Sequence, residues 1–393
     1  MSRKMIYIPL LFAAAVFATN LVSQDIDYHT LAHNVISASA QVKPGEVVVI
    51  SGGKHTIDFV EELAVETEKA GGFSVPILGS DAMERALAFD VPEQYLSQPP
   101  QFFVDWLKSI NVFINLPGVE DPRLFAQAPP ARLARMGQAS KIVADALNAS
   151  HARTVNLIYP SRHEAEAAHI DFSTYSKMEW EAMSRDYRPI AEQGERLKKI
   201  LESGKHVKIT SPKGTNLTFA LGSRPVSLET GLPRAGMANE KIYGSRIVNL
   251  PGGRIMVAPV ETSANGKVVV AKDDCRSDVV NNASFDFKDG ILTNYKADSN
   301  ADCLNQILAG YTGPKNRFGY IRIGLNPSEK VLEEGEARYW PSFAAGMVWI
   351  GVGNNTVFGG RNNDTAGGYS FPITHATVEV DDKVIIRDGQ LVM

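Results

Sequence analysis

The stretch that decides how this chain is read is Asn249-Leu250-Pro251-Gly252-Gly253-Arg254-Ile255-Met256-Val257-Ala258-Pro259, followed closely by Glu261-Thr262-Ser263-Ala264-Asn265-Gly266. Pro251-Gly252-Gly253 is a turn signal. The apolar run at 254–258 after it is a short strand candidate, with Arg254 at its first position. Arg254 and Glu261 flank that strand seven residues apart. The spacing permits an ion pair between them. It also permits Arg254 to hold a carboxylate ligand while Glu261 reaches into a pocket.

Downstream of residue 205 the pattern is of short strands. Residues 206–210, 217–221, 267–271, 283–287, 291–296, 377–380, 384–386 and 391–392 are strand candidates. Lys213-Gly214, Asn265-Gly266 and Asp289-Gly290 punctuate them, and Asn-Gly and Asp-Gly are strong hairpin signals. Residues 302–308 predict one short helix, 343–353 a buried apolar segment, and 354–369 a Gly/Asn-rich turn or loop.

Upstream the rhythm alternates between helix and strand. Val47 to Ser51 is an unbroken β-branched run, as expected of a strand buried on both faces. Gly52-Gly53-Lys54-His55 then reads as a strand-to-helix turn, since it matches neither phosphate-binding glycine pattern. A helix at 57–70, strands at 73–78, 112–116 and 155–159, and a helix at 131–147 continue the alternation. A long helical stretch at 175–201 is kinked or restarted by Pro189. The fold class expected is an α/β N-terminal domain with an open, mostly parallel sheet, plus a mostly β (α+β) C-terminal domain. The domains are placed at 25–204 and 205–393, after a signal peptide at 1–24.

That signal rests on Arg3 and Lys4, an uncharged apolar run from Met5 to Ala18, and small residues near Ala18. The run, about 14 residues, is short for a membrane span of roughly 20. Export to the periplasm or medium is expected, with no membrane association after cleavage. The chain has 40 basic and 44 acidic residues, a net charge of −4 and no Lys/Arg block, so nucleic acid is not an expected partner. Its two cysteines, Cys275 and Cys303, would close a loop worth about 3 kcal/mol if bridged. Two buried thiols fit the sequence equally well.

The segment at 249–266 resembles a motif of the thermophilic metallo-aminopeptidase family, of the aminopeptidase T and aminopeptidase S type. Supporting pieces follow in family order: Val42 to Ile50, Gly214-Thr215-Asn216-Leu217 and Phe285-Asp286-Phe287-Lys288-Asp289-Gly290. The resemblance implies a two-domain fold, a homodimer and a two-metal site that activates water against a peptide bond. It also implies five ligand positions. Arg254 stands at the first Glu, Tyr320 at the second, Trp349 at the strand His, and Thr377 at the terminal Asp; His375 alone is kept. An arginine cannot coordinate a cation. A related branch, resembling ring-cleaving dihydroxypyridine dioxygenases, needs two His and one Asp around iron, which this chain does not supply at matching positions.

Three readings follow from this resemblance. In the first, the metal site is degenerate and its pocket binds a peptide or small carboxylate through Arg254, with Tyr320 and Trp349 stacking. In the second, an aminopeptidase works at a rebuilt site, with His375 as ligand of Zn, Mn, Co or Fe and Glu261 and Arg254 in catalytic roles. In the third, a metal-free enzyme uses the same scaffold.

Overall fold

The computed structural model describes residues 26–99, 101–125, 127–240, 243–275, 278–309, 313–362 and 368–393. The expected signal at 1–24 lies outside these residues. Among the described residues, no helix is long and apolar enough to cross a membrane.

Four strands open the fold: β1 (Val47–Gly53), β2 (Phe73–Gly79), β3 (Val112–Asn115) and β4 (Arg153–Leu157). All pair in parallel, in the order β2-β1-β3-β4. The unbroken apolar run of β1 has its cause in this arrangement. Val48 and Ile50 are buried in the main core, while Val49 is buried on the opposite face with Val104, Leu107 and Leu147. Tyr175 to Leu201 is two helices, Phe172–Met183 and Arg188–Ser203, with Pro189 in the first turn of the second. That position needs no N–H, so the proline starts the helix rather than bending it.

The chain then lays down β5 (His206–Thr210), β6 (Asn216–Ala220) and β7 (Val226–Glu229) in other sheets. It returns with β8 (Ile247–Leu250) to pair in parallel with β4 as the last strand of the first sheet. Three residues later β9 (Arg254–Val257) is already in a different sheet. The link Pro251-Gly252-Gly253 makes this possible. The Leu250–Pro251 peptide is cis. A Cβ on Gly252 would come within 2.3 Å of the Gly231 amide nitrogen, so only glycine fits there.

The remaining strands are β10 (Asn265–Cys275), β11 (Asp278–Lys288), β12 (Ile291–Lys296), β13 (Phe318–Gly324), β14 (Val348–Gly353), β15 (Gly368–Ile373), β16 (Thr377–Val380), β17 (Lys383–Arg387) and β18 (Gln390–Leu391). They complete an eight-stranded sheet, β12-β11-β10-β6-β5-β16-β17-β18, and a five-stranded sheet, β15-β14-β13-β9-β7. Their strand pairs are antiparallel. The two sheets meet through stacked Phe285 and Phe371, 4.0 Å between centroids, and through Phe219 against Phe318. The expected fold class, a parallel α/β sheet followed by β structure, is what the chain adopts.

Asp289-Gly290 forms the expected hairpin turn, both residues at positive φ, between β11 and β12. Asn265-Gly266 does not turn; it begins β10 and pairs with β6. Glycine is required there for closeness instead, since a Cβ would lie 2.1 Å from the Asn216 carbonyl oxygen. Cys275 and Cys303 are disulfide-bonded, joining the end of β10 to the helix Ala301–Ala309.

Candidate functional site

Register, not sequence proximity, assembles the site. Across the five-stranded sheet, Ser227, Met256, Arg322, Trp349 and Pro372 are successive cross-strand partners. Directly opposed residues share a face, so these five form one row. Glu229, Arg254 and Gly324 form the next row, and Tyr320, Gly351 and Ser370 a third. The alternate residues, among them Leu228, Ile255, Ile321, Ile323 and Ile350, are buried in the core. One face of this sheet is therefore apolar and closed. The other gathers Arg254, Tyr320 and Trp349, three of the positions singled out in the sequence.

Arg254 does not pair with Glu261. Its Nε donates to Glu229 Oε2 at 2.8 Å and its Nη2 to Glu229 Oε1 at 3.1 Å, a two-pronged fork. Its Nη1 donates to Ser342 Oγ at 3.2 Å, and the guanidinium lies 4.4 Å from the Phe343 ring centre. Glu229 Oε2 also accepts from Asn249 Nδ2, and Asn249 Oδ1 accepts from Asn156 Nδ2. A polar chain thus runs from the parallel sheet, through β8, to Arg254. The reason for the changed partner is geometric. Glu229 lies directly opposite Arg254 on β7, whereas Glu261 lies beyond the end of β9.

Glu261 serves a different structure. It accepts from Arg224 Nη1 at 2.9 Å and Nη2 at 2.6 Å, from Asn355 Nδ2 at 3.2 Å and from the Arg361 amide at 2.6 Å. Burial pushes its carboxyl up, but these donors outweigh burial and hold it at about 2. They pin residues 354–362 of the Gly/Asn-rich loop to the β structure.

Tyr320 leans over Gly351, where a Cβ would come within 2.3 Å of the tyrosine ring, and its ring meets Phe358 edge-on at 5.1 Å. Trp349 packs beside Trp340 and Met347. Trp340 donates to Glu333 at 3.0 Å, and Glu333 lies 4.0 Å from His375 Nε2. His375 Nδ1 is 3.0 Å from Asp388 Oδ1, and the side chain is 62% exposed. Thr377 accepts from the Asp388 amide.

A cavity of about 590 Å³ opens beside this face. Ser227, Glu229, Arg234, Asn249, Met256 and Phe358 are among its lining residues. Sequence reasoning missed Glu229, Ser342 and Arg322. Arg322 was within reach, since it follows Tyr320 by two residues on one strand and so shares its face. Glu229 was not, because only register brings it to Arg254.

The described residues offer no ready set of ligands for a pair of divalent cations. Two metals need several converging carboxylates and imidazoles, and among the described residues no group of three or more His, Cys, Asp or Glu is placed to hold one. A paired guanidinium stands at the first expected ligand position.

A separate acid cluster lies between the helix Phe172–Met183 and the segment after β13. Glu179 and Glu329 are buried, Tyr339 hydrogen-bonds Glu179, and Glu329 Oε2 has no partner among the described residues. Burial raises both carboxyls well above the usual range; the charge of Glu164 raises Glu179 further, and that of Glu179 raises Glu329 further. Asp273, buried and accepting from Tyr369, is pushed up to about 7 by the same desolvation.

The sequence profile of the thermophilic metalloprotease family (M29) matches residues 25–328. Comparison with curated proteins finds no match. Among solved structures, wild-type AmpT from Thermus thermophilus superposes with a TM-score of 0.68 at 17% identity, covering 93% of this chain and 99% of that one. The 2,5-dihydroxypyridine dioxygenase from Pseudomonas putida KT2440 follows with a TM-score of 0.58 at 14% identity, covering 93% and 96%. At these identities the two structures speak for the fold, while the profile spans most of the sequence, including Arg254 and Tyr320: the chain belongs to the thermophilic metalloprotease (M29) family.

Proposed function

We propose that this chain is a binding member of a peptidase family, holding a peptide or small carboxylate on the open face of its five-stranded sheet instead of hydrolysing it at a metal pair. The observation that carries this reading is the Arg254–Glu229 fork. It puts a neutralised ion pair where the family resemblance calls for a metal-binding glutamate. Tyr320 and Trp349 supply aromatic walls, and the adjoining cavity is of a size suited to a small ligand. Glu261 acts in this reading as a loop anchor, and His375 as an exposed hydrogen-bonding residue.

The protein works after export in this proposal, and the Cys275–Cys303 disulfide supports an oxidising compartment. A homodimer, free of nucleic acid and of membrane, is the proposed assembly.

Family membership favours one alternative, metal-dependent aminopeptidase activity at a rebuilt site. Elemental analysis with and without chelator, paired with assays on amino-acid arylamides, separates the two. The binding reading expects no stoichiometric metal and no turnover. Stoichiometric Zn, Mn, Co or Fe, with hydrolysis that chelator abolishes, reverses it.

A further inference from the structure

Two donors on the Arg254 face of the five-stranded sheet, where Trp340 and Met347 cover it, lack an acceptor among the described residues. Arg322 Nε and Trp349 Nε1 are both shut off from solvent and neither has a hydrogen-bond partner among the described residues. The residues are direct cross-strand partners on β13 and β14, so both side chains leave the sheet on the same face. Both groups donate only; neither a guanidinium nor an indole N–H can accept. What is missing beside them is an acceptor.

Charge narrows the choice. Arg322 is half-buried and its guanidinium lies 5.4 Å from the Tyr320 ring centre. The structure gives it no carboxylate partner among the described residues. The charged and titratable groups that act on it are Tyr320, Arg254 and Glu229. Glu229 is already forked to Arg254. Two guanidiniums against one carboxylate leave one positive charge uncompensated. A monoanion balances that charge, whereas a phosphate dianion overshoots it. A planar carboxylate also matches the planar fork of a guanidinium.

We propose that Arg322 and Trp349 form a carboxylate-binding site, the guanidinium and the indole N–H donating to one carboxylate of the ligand. This rests on the reading that the open face binds a ligand, and adds the donors and the anion. Tyr320 forms one wall. Arg322, Trp349 and Tyr320 do not line the 590 Å³ cavity, but Met256, the β9 partner of Arg322, does, with Ser227 and Phe358, so in this proposal the carboxylate end passes Met256 while the body of the ligand stays in the cavity.

The test is titration calorimetry of the purified protein with four probes: 3-phenylpropionate, the dipeptide Ala-Phe, its C-terminal amide, and inorganic phosphate. Binding of the free acid, the free dipeptide or both is expected, without binding of the amide or phosphate. Which of the first two binds distinguishes a free organic acid from a peptide end. Arg322→Gln should lower carboxylate affinity roughly tenfold or more, and Trp349→Phe, which keeps an aromatic ring, roughly threefold to tenfold. If Arg322→Gln does not fold, Trp349→Phe alone decides. Carboxylate binding unchanged in the variants overturns this site while leaving ligand binding on the face intact. Phosphate binding in preference overturns the charge argument. No binding by any carboxylate probe overturns both this site and the reading beneath it.

Discussion

Glu261 and Glu229 each receive an arginine fork, yet the two forks are enclosed to different degrees. At the loop anchor the side chains of Glu261 and Arg224 are 9% and 14% exposed; on the open face Glu229 and Arg254 are 24% and 19% exposed. Glu261 has donors from three residues, two of them in the loop it anchors. Glu229 has donors from Arg254 and Asn249, and one side of it faces a cavity. The lesson is that the same chemical pair ties down a loop where it is enclosed and sets up a surface where it is not. Arg322 extends the series to a guanidinium that forks to no carboxylate among the described residues.

The largest effect expected is at the anchor. Glu261→Ala leaves the Arg224 charge buried alone and should cost about 3 kcal/mol in urea denaturation. Acid stability follows from the same group. Its folded carboxyl sits near 2, below the ordinary value of 4.5, so its contribution is present above pH 4.5 and is lost as pH falls toward 2. Glu261→Gln should flatten that acid limb; an unchanged limb would place the acid sensitivity elsewhere.

Next in size is Glu229→Ala, expected to cost about 2 kcal/mol, between the values for exposed and buried pairs. A loss equal to or greater than that of Glu261→Ala would break the ranking by enclosure.

The buried acid pair gives the opposite pH sign. Glu179 and Glu329 are raised in the folded state, so their contribution is complete below the ordinary carboxyl range and is lost as pH rises through the raised values. Glu329→Gln should be about 1 kcal/mol more stable than the parent at pH 9, with little difference at pH 5. Equal stabilities at pH 9 would count against a Glu329 carboxyl raised by burial.

The smallest effect is Arg322→Gln without ligand. No hydrogen bond of Arg322 to a described residue is lost, only its long contact with the Tyr320 ring, so stability should change by less than about 0.5 kcal/mol. A larger loss would mean that Arg322 is structural, contrary to the role proposed for it in binding.

The fold was legible where burial imposes a period. Val48 to Ile50 announced a two-sided strand, Asp289-Gly290 a hairpin, and Pro189 a break between helices. The first sheet was less so, since β8 rejoins it from beyond three strands of other sheets, a crossing that no local pattern encodes. At the site, the sequence brought Arg254, Tyr320 and Trp349 to notice through substituted positions. It missed Arg254's partner because Glu229 lies 25 residues away and only the β7–β9 register makes them neighbours. Asn265-Gly266 misled because glycine serves tight approach as readily as turning. The cysteine pair was undecidable from spacing, and the packing of the helix Ala301–Ala309 near β10 settles it.

The three-residue link from β8 to β9 acts as a weld along one side of the cavity. Gly252 has no slack against Thr230 and Gly231, and Asn249 is tied across to Glu229. The two layers cannot part along that line without rupturing both ties. Across the cavity, Thr356 and Phe358 line it from the loop that Glu261 anchors, so that wall is held only as firmly as the Glu261 contacts to Asn355 and Arg361.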